Sequence, residues 1–456
     1  MTSETLTHSA EAISTWQYWM AAGIFVCSYG AILSEKVHKT KAVLLGASLM
    51  MVGPILTQDE AFHSRHFGID YNVIFLLIGM MMLVNIAGKS GMFEWAAIKM
   101  AQFSNGRPFT ILFWFVLLTA VASAFLDNVT TVLLMAPVTL FIADEQEIDP
   151  IPFLIAEAMA SNIGGTATLI GDPPNLIIGS RANLGFLAFL ENLGPPVLVM
   201  LVSLLFVLWL VFHKKLKVDK AKQERIMAIN PKKLIRDPGL ARRSIIVLGL
   251  TILGFCFHGM LHIEPATIAL CGASVLLLIS KADPHDVFTH VEWPTVFFFI
   301  GLFIIVGGVV KVGVIEDLSH TVVQLTGPNA ESMQTTAIVM LWFSGVLSAI
   351  VDNIPYVATM APLVQDMANS VFQGSQIPAG ELLHHPVLMP VWWSLALGAC
   401  LGGNGTPVGA SANLIILGIA EKNGHKVSFL RFMGYGLPIM LLTLLIATGY
   451  ILLRFY

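Results

Sequence analysis

Two Asp-Asn pairs stand between long apolar runs, at Asp127-Asn128 and at Asp352-Asn353. A charged side chain at membrane depth costs about 2.5–3.5 kcal/mol on insertion scales, so an acidic residue there usually marks an ion pathway or a proton relay. Aspartate and asparagine also favour helix N-caps, and a surface cap is the alternative role. Because both pairs occupy the same place in two related blocks of sequence, we favour the ion pathway.

Two further segments combine glycine and proline with polar side chains inside apolar sequence. Ser161 to Ser180 reads SNIGGTATLIGDPPNLIIGS, and Gly402 to Ile416 reads GGNGTPVGASANLII. Glycine and proline at this density do not continue a helix. In a bilayer, broken backbone survives only where it lines a protein-buried or wet cavity. Two such interruptions at corresponding places in two halves indicate a transporter binding site.

The polar residue types at these four places suit a hard cation. Helix N-termini, unwound carbonyls and the side chains of Asp, Asn, Thr and Ser together form an oxygen cage. The carboxylates of Asp127 and Asp352 could each also accept a proton. The predicted substrate and ion site comprises Asp127, Asn128, Thr130, Thr131, Asn162, Gly164, Gly165, Thr166, Thr168, Asp172, Asn175, Asp352, Asn353, Gly402, Gly403, Asn404, Thr406, Ser411 and Asn413.

Two acidic residues near the first broken segment have no counterpart in the second. Asp172 lies inside it, and Glu157 precedes it by about one helical turn. Glu157 is a possible proton site, and a structural partner for a backbone group or a hydroxyl is the equal alternative. No lysine or arginine falls inside either broken segment or beside either Asp-Asn pair. These side chains therefore suit a cation, a proton or a neutral polar solute better than a multivalent anion.

The composition is that of a polytopic membrane protein. Of the 456 residues, 56% are hydrophobic and 12% are charged, whereas a soluble domain carries about 25% charged residues. The sequence contains no HExxH, GxSxG or Walker motif, and we therefore do not expect an enzyme or an ATP-driven pump. The four cysteines are scattered without a zinc or disulfide pattern. We predict no cofactor and no metal centre, with H+ or Na+ as the coupling ion.

The two halves of the chain are related to each other. Ser123–Val138 matches Ser348–Leu363 at eight of sixteen positions, and Gly164–Ile178 matches Gly402–Ile416 at eight of fifteen. A third block pairs Phe75, Gly79, Lys89, Gly91 and Glu94 with Phe297, Gly301, Lys311, Gly313 and Glu316. Three blocks in one order at nearly one spacing indicate an internal duplication.

Charge distribution predicts how the halves are oriented. We interpret the two segments joined at the Asp-Asn pairs as re-entrant hairpins, so that each half has five crossings, one hairpin and one broken helix. With residues 213–243 in the cytoplasm, 21 of the 25 lysines and arginines lie on that side. The four outside are Arg65, Arg181, Lys311 and Arg454. Five crossings is an odd number, so we predict an all-α protein of two inverted repeats, 1–212 and 244–456, around a cytoplasmic basic linker, 213–243.

At these residues the sequence resembles the ion transporter superfamily, and within it the ArsB/NhaD permeases. The motifs match best the bacterial relatives of the melanosomal P protein. The blocks SAFLDNVTTVLLMAPV, SNIGGTATLIGDPPN, SAIVDNIPYVATMAPL and GACLGGNGTPVGASANLII carry the resemblance, which runs from about Tyr71 to the C-terminus. It implies an inverted-repeat fold with two hairpins and two broken helices around a substrate site, often in a dimer that moves each transport domain by an elevator motion.

The resemblance covers arsenite efflux, sodium/proton antiport and, in dicarboxylate-transporting relatives, sodium-coupled carboxylate transport. Those relatives carry Ser-Asn-Thr at the hairpin tips. Here the tips read Asp-Asn-Val-Thr and Asp-Asn-Ile-Pro, a departure that counts against a carboxylate substrate. We predict an ion-coupled secondary transporter of the bacterial inner membrane. Proton-coupled efflux of arsenite or a similar small inorganic species is the first candidate, Na+/H+ antiport the second, and sodium-coupled transport of a small anion or dicarboxylate the third.

The predicted partners follow from the same features. Membrane lipid surrounds the apolar helices, and a small inorganic substrate occupies the site. A second copy of the chain is expected as a homodimer, and a separate cytoplasmic ATPase subunit could attach at the basic linker. No nucleic acid partner is expected.

Overall fold

The computed structural model describes residues 14–34, 36–64, 66–329, 333–373 and 378–456. The first thirteen residues are not among these. Neither is Arg65, one of the four basic residues that the predicted topology assigns to the external side of the membrane. The described residues are helical and contain no strand, as the sequence predicts. The helices up to the linker are α1 (Thr15–Ser34), α2 (Lys39–Val52), α3 (Gln58–His63), α4 (Tyr71–Gly88), α5 (Met92–Phe103), α6 (Pro108–Phe125), α7 (Asn128–Gln146), α8 (Ile151–Gly165), α9 (Pro173–Ala182) and α10 (Phe186–Phe212).

The linker and the second half are also helical. Their helices are α11 (Lys220–Ala228), α12 (Pro238–Leu261), α13 (Pro265–Ser280), α14 (Pro284–Thr289), α15 (Trp293–Lys311), α16 (Val314–Thr326), α17 (Gln334–Ile350), α18 (Asn353–Val371), α19 (Ala379–Leu382), α20 (Met389–Gly402), α21 (Ser411–Lys422) and α22 (Phe429–Phe455), with a 3-10 turn at Pro231–Lys233. Among the described helices, seven are long and apolar enough to cross a membrane, namely α4, α6, α7, α10, α12, α15 and α22.

The chain divides into two compact units that cut across the predicted halves. The first unit holds α1, α2, α3, α15 and most of α16. Within it α2 packs on α15 at Gly301, where an added Cβ would lie 2.9 Å from the carbonyl carbon of Val43. A larger residue at this crossing would separate the two helices, because packed interiors do not absorb such an overlap. The same unit contains an ion pair between Lys311 and Glu60, with 2.7 Å between Nζ and Oε2.

The second unit contains the remaining described helices and repeats both features. Here α4 packs on α13 at Gly79, where an added Cβ would lie 2.9 Å from the carbonyl carbon of Ala269. Lys89 forms an ion pair with Asp286. Gly79 and Lys89 are the residues that the sequence repeat matches to Gly301 and Lys311. The duplicated residues therefore make the same kinds of contact in each unit.

The basic linker is folded onto the second unit rather than extended. Lys222 and Arg225 of α11 each reach Glu147 over 3.0 Å, at the end of α7. Their hydrogen bonds, and then their charges, hold the pKa of the Glu147 carboxyl below its usual value. Arg236 pairs with Glu94 over 3.2 Å. Part of the positive charge that fixed the predicted orientation is therefore engaged by acidic residues of the same chain.

Candidate ion and substrate site

The two broken segments have the same local structure. In the first, α8 ends at Gly165 and α9 begins at Pro173; in the second, α20 ends at Gly402 and α21 begins at Ser411. The amide of Asn175 donates to the carbonyls of Thr166 and Thr168, over 3.2 and 2.9 Å. The interruption thus leaves backbone carbonyls that lack helical partners, and an asparagine in the first turn of the next helix satisfies them.

Asn413 has the same role in the second broken segment. Its amide donates to the carbonyls of Gly403 and Thr406, over 2.7 and 2.9 Å. Asn175 and Asn413 are a matched pair of the sequence repeat. Their amide nitrogens therefore hold the loops in shape, and only their side-chain oxygens remain for other contacts.

Glycine lets each broken helix approach the hairpin beside it. An added Cβ at Gly164 would lie 2.6 Å from the Cα of Ala120 in α6, and one at Gly402 would lie 2.9 Å from the Cα of Gly345 in α17. Gly165 and Gly403 approach the far ends of their own loops at Gly171 and Gly409. We assign these four predicted site glycines to close packing, since a side chain at any of them would push the broken helix away.

Threonine hydroxyls tie each loop to the end of the neighbouring hairpin helix. Thr168 donates to the carbonyl of Ala124, and Thr406 donates to the carbonyl of Ala349 over 2.6 Å. Both hydroxyls also accept the backbone N–H of the loop glycine three residues on, over 3.2 Å. Thr166 donates to the carbonyl of Asn162 over 2.7 Å. These three predicted site threonines thus have structural hydrogen bonds within the protein.

Asp127 and Asp352 are helix N-caps, but they are not surface caps. Asp127 begins α7 and accepts a hydrogen bond from the backbone N–H of Thr130 over 2.8 Å, and a second from the Thr130 hydroxyl. Asp352 begins α18 and accepts from the N–H of Ile354 over 3.2 Å and from the Ser411 hydroxyl over 2.8 Å. The two aspartates are 8% and 6% exposed. Each carboxylate is therefore a helix N-cap, which was the alternative role. Each is also buried, as a residue of an ion pathway would be.

The centre of the arrangement is Asp172, which is fully buried. The amide of Asn128, from the first hairpin tip, donates to its carboxylate over 3.1 Å. The amide of Asn353, from the second tip, donates to the two carboxylate oxygens over 3.3 and 3.2 Å. One carboxylate in the first broken segment thus holds both hairpin tips.

Asn162 extends this cluster to the second broken segment. Its amide nitrogen donates to the side-chain oxygens of Asn404 and Asn413, over 3.0 and 3.1 Å, while its oxygen accepts from Asn128 over 3.4 Å. All of these side chains are buried. The amide nitrogen of Asn404 is buried and has no partner among the described residues. The structure therefore brings both tips and both broken segments into one polar cluster.

The charged side chains of the cluster are all carboxylates, among the described residues. The side chains that hydrogen-bond to Asp172 are the uncharged Asn128, Asn353 and Cys400. Asp127 and Asp352 lie near enough to interact with Asp172 through their charges. An isolated buried carboxylate is costly, and the charges of Asp127 and Asp352 each repel that of Asp172. Such a cluster attracts a cation or a proton.

Two predicted residues lie outside this network. Glu157 is fully buried in α8, where Thr139 of α7 donates to one carboxyl oxygen. The other oxygen of Glu157 has no partner among the described residues. Thr131 is buried, and its hydroxyl is likewise unpartnered in the described part of the chain. The hydrogen bond between Glu157 and Thr139 corresponds to the second role considered for Glu157, that of a structural partner for a hydroxyl.

The structure adds residues that the site prediction lacked. Ser123 donates to the carbonyl of Ser161 over 2.7 Å, and Ser348 donates to that of Ala399 over 2.6 Å. Both serines begin the matched hairpin blocks, so the repeat could have identified them. Cys400 donates to the side-chain oxygen of Asn175 over 3.6 Å. Its place in the repeat is that of Asn162, which makes the corresponding bond to Asn413.

Comparisons with known proteins show the family to which the chain belongs. The family model described as a citrate transporter, CitMHS, matches residues 29–398. An uncharacterized transporter of Mycobacterium bovis is 44% identical over 437 residues, which cover 96% of this chain and 98% of that protein. The human P protein is 31% identical over 512 residues, which cover 96% of this chain and 60% of the P protein.

Two solved structures share the fold. The Alcanivorax borkumensis YdaH transporter superimposes with a TM-score of 0.55 at 14% identity and covers 96% of each chain. Neisseria gonorrhoeae MtrF, described with a class of antimetabolite efflux pumps, gives a TM-score of 0.58 at 11% identity over 98% of this chain and 97% of its own. At these identities the likeness shows the fold alone. The family match and the relatives show that this multi-pass membrane transporter belongs to the CitMHS citrate transporter family, in the ion transporter superfamily.

Proposed function

We propose that this protein is an ion-coupled secondary active transporter in which Asp172 binds the coupling proton or cation between the two hairpin tips. The observation that supports this proposal is the convergence of Asn128 and Asn353 on one buried carboxylate. Its hydrogen-bond donors among the described residues are uncharged, and a buried negative charge in such surroundings is stabilised when it takes up H+ or Na+.

Loading Asp172 would change how the tips are held. As a carboxylate it only accepts hydrogen bonds, and Asn353 donates to both of its oxygens. A protonated carboxyl carries one O–H donor, so the bidentate contact with Asn353 would no longer be satisfied. A bound cation would compete with the same amides for the oxygens. In either case the charge state of Asp172 is transmitted to both hairpins together.

The repeated contacts support the internal duplication on which the proposed inverted arrangement rests. Asn175 and Asn413, Thr168 and Thr406, and Gly164 and Gly402 make matched contacts in the two broken segments. We propose five crossings and one re-entrant hairpin in each half, a homodimer, and elevator motion of the transport domain. We place the protein in the bacterial inner membrane with the linker in the cytoplasm.

Proton-coupled efflux of arsenite or a similar small inorganic species is the first candidate. Arsenite is the neutral As(OH)3 at pH 7, so a site without a basic side chain does not disfavour it. The asparagine oxygens can accept hydrogen bonds from its hydroxyl groups. The thiol of Cys400, beside Asp172 and Asn175, adds a soft donor at the same place.

Two other substrates are supported by specific observations. Na+/H+ antiport is supported by the three carboxylates and the Asn and Thr oxygens, which suit a hard cation. Citrate is supported by the description of the family. A bare tricarboxylate would be repelled by Asp127, Asp172 and Asp352, so citrate would have to enter together with cations or protons that neutralise it.

A flux assay in proteoliposomes tests this proposal. The reconstituted protein is given arsenite, sodium or citrate, each with and without an imposed pH gradient or sodium gradient. We expect a gradient to drive uphill movement of one of these solutes in wild-type vesicles and not in Asp172→Asn vesicles. Equal gradient-driven flux in the two proteins would show that Asp172 does not carry the coupling ion.

A further inference from the structure

A cavity of about 300 Å³ lies beside the first hairpin tip, wholly within the second unit. Leu133, Leu134 and Thr130 of α7 form one side of it, and the end of α4 forms the other. Its polar lining comprises Asn85, Lys89, Thr130, Arg236, His290 and Glu292. A cavity of this size, with these polar groups in its lining, has room for several water molecules and offers them hydrogen-bond partners.

One end of this cavity is lined by a residue of the basic linker. Arg236 lies in the basic linker, and its backbone N–H donates to the carbonyl of Ser90 over 2.9 Å. Lys89 is paired with Asp286, and Arg236 with Glu94. These ion pairs join the linker and α14 to the ends of α4 and α5. They hold the walls of the cavity at the face where most of the positive charge of the chain lies.

The other end of the cavity reaches Asp127 through a single side chain. Thr130 lines the cavity, and its hydroxyl donates to the Oδ2 atom of Asp127. A threonine hydroxyl that donates one hydrogen bond can still accept another. Thr130 can therefore accept a hydrogen bond from cavity water while it donates to the carboxylate.

The second hairpin lacks this connection. The residue that corresponds to Thr130 in the repeat is Pro355, which has no hydroxyl. Asp352 instead accepts its side-chain hydrogen bond from Ser411, at the start of α21. Among the described residues that line this cavity, Thr130 supplies the hydroxyl, and its partner is Asp127.

We propose that the cavity is the water-filled route by which Asp127 exchanges protons with the linker side, and that Thr130 relays them. In the transfer, a hydronium ion in the cavity gives a proton to the Thr130 oxygen and becomes water. The hydroxyl proton of Thr130 passes at the same time to Oδ2 of Asp127, which leaves Thr130 neutral and Asp127 protonated. This inference rests on the proposed function, since it gives the coupling proton its path.

Several charged groups act on this transfer. From within the cluster, Asp172 lies near enough to Asp127 for their charges to interact, and like charges repel. The charged and titratable groups that line the cavity are Lys89, Arg236, His290 and Glu292. Lys89 is paired with Asp286 and Arg236 with Glu94, so acidic partners compensate these two basic side chains of the lining.

Cysteine labelling tests the route without requiring transport. In a chain with Cys27, Cys256 and Cys271 replaced by alanine and only the buried Cys400 retained, Leu134→Cys lines the cavity. The matched control is Ala136→Cys, two residues on in α7 and 0% exposed. We expect an impermeant methanethiosulfonate reagent to label Leu134→Cys from the linker side at least tenfold faster than Ala136→Cys. Labelling of Leu134→Cys only from the opposite side would overturn the proposal.

Threonine substitutions test the relay. Thr130→Val removes the hydroxyl but keeps the backbone N–H that caps Asp127, and Thr130→Ser keeps both groups. We expect Thr130→Val to slow proton release or uptake on the linker side at least tenfold and to flatten its dependence on pH there. The dependence on pH at the opposite face should not change, and Thr130→Ser should stay within about twofold of wild type.

The outcomes separate the route from the function. If wild-type vesicles couple transport to protons and Thr130→Val retains the wild-type rate and pH profile, the relay is wrong while the proposed function stands. If wild-type vesicles show no proton coupling at all, both the relay and the proton form of the proposed function fail.

Discussion

The amide of Asn353 donates to both carboxylate oxygens of Asp172, over 3.3 and 3.2 Å. These residues come from the second hairpin tip and the first broken helix, so one hydrogen-bonded pair joins the two halves of the duplicated sequence. Asn128 completes the arrangement from the first tip. Both halves therefore meet on a side chain that only one of them supplies.

We expect Asp172→Asn to abolish ion-coupled transport, with at least a tenfold loss of gradient-driven flux. The substitution keeps the shape of the side chain and removes both the charge and the titration. The matched control is Asp219→Asn, at an exposed helix N-cap whose side chain makes no capping bond. Flux measured in proteoliposomes at equal protein content should be lost in the first variant and kept in the second.

Asp127→Asn and Asp352→Asn should each reduce coupled flux while the protein still folds. Asparagine is as good an N-cap as aspartate, so α7 and α18 keep their first turns in both variants. The pH dependence of the remaining flux should flatten, because a titrating group is gone. Wild-type flux with an unchanged pH profile in both variants would mean that these aspartates act only as helix caps.

Gly164→Ala and Gly402→Ala should each destabilise the protein by about 1–3 kcal/mol, the usual cost of overpacking. In both, the new methyl group meets the backbone of a neighbouring helix. Gly418→Ala in α21 is the control, since no atom lies within 4 Å of its added Cβ and alanine favours a helix. Apparent melting temperatures in detergent should fall for the first two variants only.

The sequence predicted the broken helices and the hairpin tips because their signals are local. Glycine, proline and capping residues act on their own turn of backbone, so α8 ends at Gly165 and α7 begins after Asp127 as expected. The all-helical fold and the transporter class followed from composition and the repeat. In the second unit, side chains from the polar blocks lie within hydrogen-bonding distance of one another.

The roles within the cluster could not be predicted in the same way. Repetition drew attention to Asp127 and Asp352, whereas the central Asp172 occurs once and gave no repeated signal. The direction of a side chain depends on the packing of distant helices. Asn175 consequently turns its amide to its own loop. Glu157, about two turns before the end of α8, faces Thr139 rather than the cluster.

The orientation of the chain can be tested by labelling two single cysteines from outside intact cells. Lys220→Cys lies in the exposed linker helix α11, and Arg454→Cys lies near the end of α22. We expect an impermeant thiol reagent to modify Arg454→Cys and not Lys220→Cys, with the reverse pattern in inside-out vesicles. Rapid external labelling of Lys220→Cys would invert the predicted topology.

The ion pair between Glu60 and Lys311 should make stability depend on pH. Burial raises the pKa of Glu60, but hydrogen bonds from Lys311 and Thr57 outweigh it and hold the pKa of this carboxyl below its usual value. The stabilisation is therefore present above the unfolded-state pKa, about 4.3, and is lost as the pH falls through the folded-state value. Glu60→Gln should cost up to about 1 kcal/mol at neutral pH.

Thermal unfolding in detergent over a range of pH measures this effect. The difference between wild type and Glu60→Gln should be largest at neutral pH and should shrink as the solution becomes acidic. Glu316→Gln is the control, because the partner of Glu316 is His320 at 3.8 Å on an exposed helix face. A difference for Glu60→Gln that grows on acidification would contradict the assignment.

The single copy of Asp172 limits how the halves could have descended from one ancestor. Its counterpart in the second half is Ala410, next to Gly409, whose carbonyl accepts the backbone N–H of Asn353 over 3.3 Å. Two identical halves would have carried either no acid or two at this place, and two would have competed for the same asparagine amides. The two halves therefore diverged at this position after the duplication. The first half now supplies the carboxylate, while the contacts of the two broken segments remain matched.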